Sequence, residues 1–162
     1  DRAPGARTVQ EVLDRYDRVV TGLNADPAVL LRPDDPLLTE WAATVAPGSV
    51  LGDDVRSQVL ERLRAGQAIP VRRGERSYVH HVAGVTAASA DRITFSWCGW
   101  SPGVVRSVAT GAVTDDAVSH GVGTGVVEKS AGSWVLSSLD ESSYDVLPAG
   151  SPDPCPTWAA AS

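Results

Sequence analysis

The chain has no methionine, one phenylalanine and a single lysine, Lys129, and two of its 162 residues are cysteine. Each scarcity excludes something. Cys98 and Cys155 stand alone, without a CxxC or Cys/His spacing, so they lack the further ligands that a closed zinc site needs. Neither a metal nor a cofactor is expected. Long apolar runs are also missing. The longest charge-free stretches, residues 77–90 and 93–105, fall short of the ~18 apolar residues of a spanning helix and are broken by polar residues or Gly. A basic face is lacking too: 14 Lys and Arg against 20 Asp and Glu give a net charge of -6, which leaves little to neutralise phosphates and excludes nucleic acid as a partner. What remains, 43% hydrophobic and 21% charged residues, lies outside the composition of disordered chains. The length suits one domain that buries roughly 70% of its unfolded surface. The start at Asp1 and the want of Met lead us to expect a processed product whose export signal has gone.

Apolar residues recur at helical spacing through Val9, Val12, Leu13, Tyr16, Val19, Val20 and Leu23, which predicts an amphipathic helix over about 7–24. Its stripe is expected to close one face of a sheet. Asn24 and Pro27 end it, and a second, shorter helix carries Leu37, Leu38, Trp41 and Val45 before Pro47 and Gly48. A third, capped by Ser49 or Asp53, carries Val55, Val59, Leu60 and Leu63 and stops at Gly66. Beyond Gly66 the period turns alternating, with runs at about 68–73, 77–89, 92–100, 103–113, 118–129 and 133–146, joined by short polar turns. Helices first and strands after predict an α+β domain with three N-terminal helices packed on a curved antiparallel sheet of five or six strands, a cone-like arrangement. Residues 1–6 are expected to be a disordered remnant, 7–147 the domain, and 148–162 a Pro-rich tail tethered at Cys155 and near Trp158.

Three readings of the cysteines stand open. An even count, an acidic N-terminus and a tail that nothing else holds favour a Cys98–Cys155 disulfide in an exported protein. The alternatives are a buried free Cys98 with a loose tail, and a nucleophilic Cys98, for which no neighbouring basic residue in sequence lowers the thiol pKa.

Among titratable residues, His80 and His81 are adjacent in a strand and point to opposite faces, His81 with Val79, Ala83 and Val85, and His80 with Tyr78, Val82 and Thr86. His120 shares a face with Val118, Val122 and Val126. A general acid–base pair would form if His81 or His120 lined a cavity with Tyr16, Asp140 or Tyr144; otherwise these are sheet histidines satisfied by neighbours. Tyr16, Trp41, Phe95, Trp97 and Trp134 are candidate linings of a ligand pocket, against the simpler role of core packing. The RRGER turn, with Arg72, Arg73 and Arg76 against Glu75, reads as a solvated hairpin. The run GVGTGV at residues 121–126 falls mid-strand with no helix after it and so lacks the context of a nucleotide loop.

Three helices, a meander, and an opening helix that ends in LNADP resemble the nuclear transport factor 2-like superfamily, which includes ketosteroid isomerases, scytalone dehydratases and SnoaL-like cyclases. The chain is most similar there to small exported or lipoprotein-type actinobacterial domains of unknown function, through TFSWCGW with Cys98, AGSWVLSSL with Gly132 and Trp134, and DPCPTW with Cys155. The segment DRYDRVVTGLNAD resembles the first isomerase helix, and the resemblance implies that Tyr16 stands where the family's oxyanion-donating Tyr stands. The isomerases also use a carboxylate base and a protonated carboxyl on a later strand, and neither partner is assigned here. Fold alone does not determine activity. The expected function is therefore a non-catalytic exported cell-envelope domain that binds a small ligand or protein partner, with an acid–base isomerase, dehydratase or cyclase as the alternative. A homodimer through the open sheet face is compatible with both.

Overall fold

A computed structural model describes residues 4–156. The first helix, α1, runs Ala6–Ala25 and buries all seven residues of the predicted stripe. A 3-10 turn at Pro27–Leu31 leads to α2, Pro36–Thr44, where Pro36 occupies the first turn and the Asp35 carboxylate accepts from Leu37 N at 3.0 Å. Helix α3 spans Val50–Ala65. Of its two candidate caps, Ser49 does the capping, its Oγ accepting from Gly52 N at 3.2 Å, and Asp53 sits in the first turn, where its charge faces the positive end of the helix dipole. Gly66 stops the helix at φ 65°, a left-handed conformation that disfavours residues with a Cβ, while its N–H bonds back to the last turn. No helix among the described residues is long and apolar enough to cross a membrane.

The strands form two antiparallel sheets rather than one of five or six strands. In chain order they are β1 (Gln67–Ala68), β2 (Val79–Ala88), β3 (Arg92–Ser101), β4 (Val105–Ser107), β5 (Val113–Asp115), β6 (Val118–Ser130) and β7 (Ser133–Leu147). The larger sheet has the order β2-β3-β6-β7 and the smaller β1-β4-β5. Two runs that looked like single strands are interrupted. Pro70 has no N–H for a ladder and ends β1 early. The 103–113 run folds back on itself between β4 and β5, with Gly111 at φ 73° and its N–H bonded to Ser107 O.

The core lies between the helices and the larger sheet, where α1 meets Val82, Ile93, Phe95, Trp97, Val127 and Leu136. Alternation then turns Cys98, His120 and Val122 to the opposite, outer face. The large rings need room on the helix-facing side, and β6 supplies it. A Cβ at Gly125 would stand 2.5 Å from the Phe95 ring, and one at Gly123 would stand 2.8 Å from the Trp97 ring and 2.0 Å from Asp140 O. Gly123 and Gly125 of the GVGTGV run are thus where two aromatic rings lie against bare backbone.

Candidate functional site

On the helix-facing side the structure assembles Asp17, Tyr16 and His80. Asp17 is fully buried. One of its oxygens accepts from His80 N at 2.6 Å and the other lies 2.5 Å from His80 Nδ1. Tyr16 meets the imidazole edge-on, with ring centroids 5.8 Å apart, and Trp97 meets it from another side at 5.2 Å. Burial first, and then the neighbouring Asp17 charge, push the Tyr16 phenol well above its ordinary pKa, so it remains a neutral O–H. A carboxylate that orients an imidazole is the arrangement of a general acid–base pair.

Space limits what this pair can do. The cavity that reaches His80 has a volume of about 50 Å³ and is bounded by Trp97, Ser119, Glu141 and Tyr144. That is room for a water or two, whereas small-molecule sites run from roughly 300 to 1,000 Å³. A polar cavity of about 180 Å³ between Arg62, Asp115 and Tyr144 shares Ser119 with it. The same contacts also have a structural use. Strand β2 is an edge of its sheet, and α1 covers the edge with side chains: Asp17 takes the His80 N–H, Gln10 Oε1 takes the Val82 N–H at 3.0 Å, and Gln10 Nε2 donates to His80 O at 3.0 Å. Two donors and one acceptor of the exposed edge are satisfied in this way.

The outer face carries the second constellation. Cys98 and Cys155 form a disulfide that lays the tail over the sheet. Of the three readings of the cysteines, the structure takes the first. The tail is held again at Asp153, whose Oδ2 lies 2.8 Å from His81 Nε2 and whose Oδ1 accepts from Cys155 N at 2.8 Å. His120 Nε2 lies 3.4 Å from Cys98 Sγ, and its Nδ1 lies 3.7 Å from Asp145 Oδ2. Beside the disulfide is a mainly apolar cavity of about 610 Å³, lined among others by Ala83, Ser96, Val122, Thr124, Pro154 and Pro156. His81 also borders a wider crevice of about 990 Å³ that includes Arg72, Arg76, Trp100 and Arg106. The RRGER turn therefore borders a crevice instead of being a solvated hairpin alone, although Arg76 pairs with Asp14 at 3.2 Å.

The sheet thus separates residues that the sequence pattern allowed to meet. Tyr16 faces His80, while His81 lies on the other side with the disulfide; His120 meets Cys98 there and also lines the cavity of about 50 Å³ together with Tyr144 and His80. Asp140 is exposed opposite Thr124. Phe95 and Trp97 are buried in the core, and Trp41 and Trp134 pack half-buried against it, the latter beneath Lys129 Nζ at 5.4 Å. Trp158 lies outside the described residues. Asp17, Gln10, Asp153 and Asp145 were not singled out by sequence. Asp17 falls on the buried stripe of α1, and an acid at an apolar-face position is the one signal that pointed to it.

No family model matches the sequence, and sequence comparison with curated proteins finds no relative. Solved structures do share the fold. The intermembrane space region of chloroplast protein ARC6 superposes with a TM-score of 0.52 at 12% identity, covering 88% of this chain and 95% of that one. The Kfla4162 protein from Kribbella flavida gives 0.52 at 16% identity with the same coverage. A ketosteroid isomerase-like protein from Erwinia carotovora atroseptica SCRI1043 gives 0.39 at 19% identity, covering 88% of this chain and 97% of that one. At these identities the two likenesses at 0.52 support an α+β fold of three helices on antiparallel sheet and nothing of activity, and the one at 0.39 carries no argument.

Proposed function

We propose that this chain is a nuclear transport factor 2-like, exported cell-envelope domain without catalytic activity, which binds a small, largely apolar ligand on the outer face of its sheet. The observation that carries the reading is where the space lies. The helix-facing side is filled by Phe95, Trp97 and the α1 stripe, whereas a cavity of about 610 Å³ opens beside the disulfide, within the size range of small-molecule sites. The Asp17–His80 contact favours an acid–base enzyme as the second reading, with Tyr16 as a neutral donor and His80 as the proton acceptor. Export is in keeping with the disulfide, and self-association through the sheet face would have to use the part that the tail leaves uncovered.

The test is titration of the folded chain with the apolar fluorophore 8-anilino-1-naphthalenesulfonate, with near-ultraviolet circular dichroism to confirm native packing. Saturable one-site binding that is lost in Val122→Trp, which fills the outer cavity, supports the ligand-binding reading. Turnover of an enolisable ketone that is abolished by His80→Ala and untouched by Val122→Trp overturns it in favour of the enzyme.

A further inference from the structure

We infer that the reduced chain holds a zinc ion between Cys98, Cys155 and His120, so that the disulfide and a metal site are alternative states of one latch. The ligand atoms of these three residues lie within 4.8 Å of one another. Tetrahedral zinc has Zn–S near 2.3 Å and Zn–N near 2.05 Å, which separates a sulfur and a nitrogen by roughly 3.5 Å. His120 Nε2 and Cys98 Sγ are already 3.4 Å apart, so the sheet-borne half of the site needs almost no movement. Once the S–S bond is open, Cys155 is the ligand that must shift, to a thiolate–thiolate edge of roughly 3.8 Å and to within roughly 3.5 Å of His120 Nε2, and it sits on a tail segment outside helix and strand.

Metal-bound histidines commonly direct their other ring nitrogen at a carboxylate, which sets the tautomer and raises ligand basicity. His120 Nε2 points toward the sulfurs, and its Nδ1 lies 3.7 Å from Asp145 Oδ2, beyond direct hydrogen-bond distance. Two thiolates and an imidazole suit zinc, and three protein ligands leave the fourth position to water.

The chemistry balances with a dithiol reductant. It supplies two electrons and two protons, the S–S bond breaks to two thiols, and the dithiol closes to its own disulfide. Zinc then displaces one proton from each thiol into solvent. The metal would keep the tail on the sheet in reducing conditions that otherwise release it.

The experiment uses the full chain, reduced with a phosphine under nitrogen and cleared of reductant. Zinc is titrated against a chromophoric chelator, and cobalt serves as a spectroscopic stand-in. The expected result is one zinc per reduced chain with a Kd below about 1 μM, and thiolate-to-cobalt charge-transfer absorption. Stoichiometric uptake should be absent from the oxidised chain. His120→Ala, which removes one of the three ligands, should weaken binding about tenfold or more. Equal uptake by the oxidised and reduced chains overturns the proposal, as does affinity unaffected by His120→Ala. A reduced chain that has lost its native near-ultraviolet spectrum and takes up zinc independently of His120 overturns it as well.

Discussion

Replacing Asp17 by Ala separates a structural from a catalytic role. The Asp17 carboxylate lies against two groups of His80, the backbone N–H at 2.6 Å and ring Nδ1 at 2.5 Å. Truncation leaves both without a partner, at about 1–3 kcal/mol for each buried unsatisfied group. The ring keeps a little solvent access, so the total should fall near 3–4 kcal/mol, in line with the roughly 3–5 kcal/mol for breaking a buried pair. That is a large share of a typical ~5–15 kcal/mol domain stability. Asp17→Asn keeps the shape and an acceptor for the His80 N–H, and its amide can donate to Nδ1 of the other tautomer, so it should cost only about 1–2 kcal/mol. Urea unfolding at unchanged m-value gives the two numbers, and hydrogen exchange at the His80 amide locates the loss. Asp17 does not hold the β2 edge if the Ala variant lies within about 0.5 kcal/mol of the parent, or if Asn costs as much as Ala.

Three further perturbations follow. Cys155→Ser opens a cross-link spanning 57 residues, worth about 4 kcal/mol in the chain-entropy model, and should expose the tail to proteolysis; a change under about 1 kcal/mol by urea unfolding would contradict this. Tyr16 has a raised pKa when folded and an ordinary one near 10 when unfolded. Its contribution is therefore fully present below about pH 10 and is lost above it by roughly 1.4 kcal/mol per pH unit, a slope that Tyr16→Phe should remove in alkaline unfolding curves. On β6, Gly123→Ala should destabilise most, because the new Cβ meets backbone Asp140 O at 2.0 Å, and Gly121→Ala least, because it meets the movable Glu141 carboxylate at 2.6 Å. Gly125→Ala falls between, at about 1–3 kcal/mol, and a reversed order of melting temperatures would refute the packing account.

Helices were legible from the sequence because they declare themselves locally: α1 by its stripe at 3.6 spacing, and α3 by its Ser49 cap and by Gly66, where the chain must turn left-handed. Sheet membership was not, since whether residues 103–113 extend the main sheet or fold into a small one depends on partners far along the chain. The candidate site shows the same division. Alternation correctly set His80 against His81, yet which of them faced Tyr16 depended on the pairing of β2 with β3 and on which face α1 covered, and neither is encoded within the strand. The two cysteines, 57 residues apart, announced their pairing through their even number and the Pro-rich tail that nothing else holds, not through any spacing. His120 joined them only through the register that sets Trp100 opposite it and Cys98 opposite Val122.

The contacts of β2 have an energetic consequence that no single residue reveals. Residues 80–82 of the β2 edge are gripped from both sides, by Asp17 and Gln10 of α1 on one and by Asp153 of the disulfide-bound tail through His81 on the other. Loosening either grip lets the short segment fray, so the other then holds less. Asp17→Asn and Asp153→Ala should therefore be less than additive, with the double variant costing at least about 0.5 kcal/mol less than the sum, within the range seen for residues that share a structural element. Hydrogen exchange at the Val82 amide should rise in each single variant and little further in the double. If unfolding free energies add within about 0.3 kcal/mol, the two grips act on independent parts of the fold, and the view of β2 as a strand clamped from both faces fails.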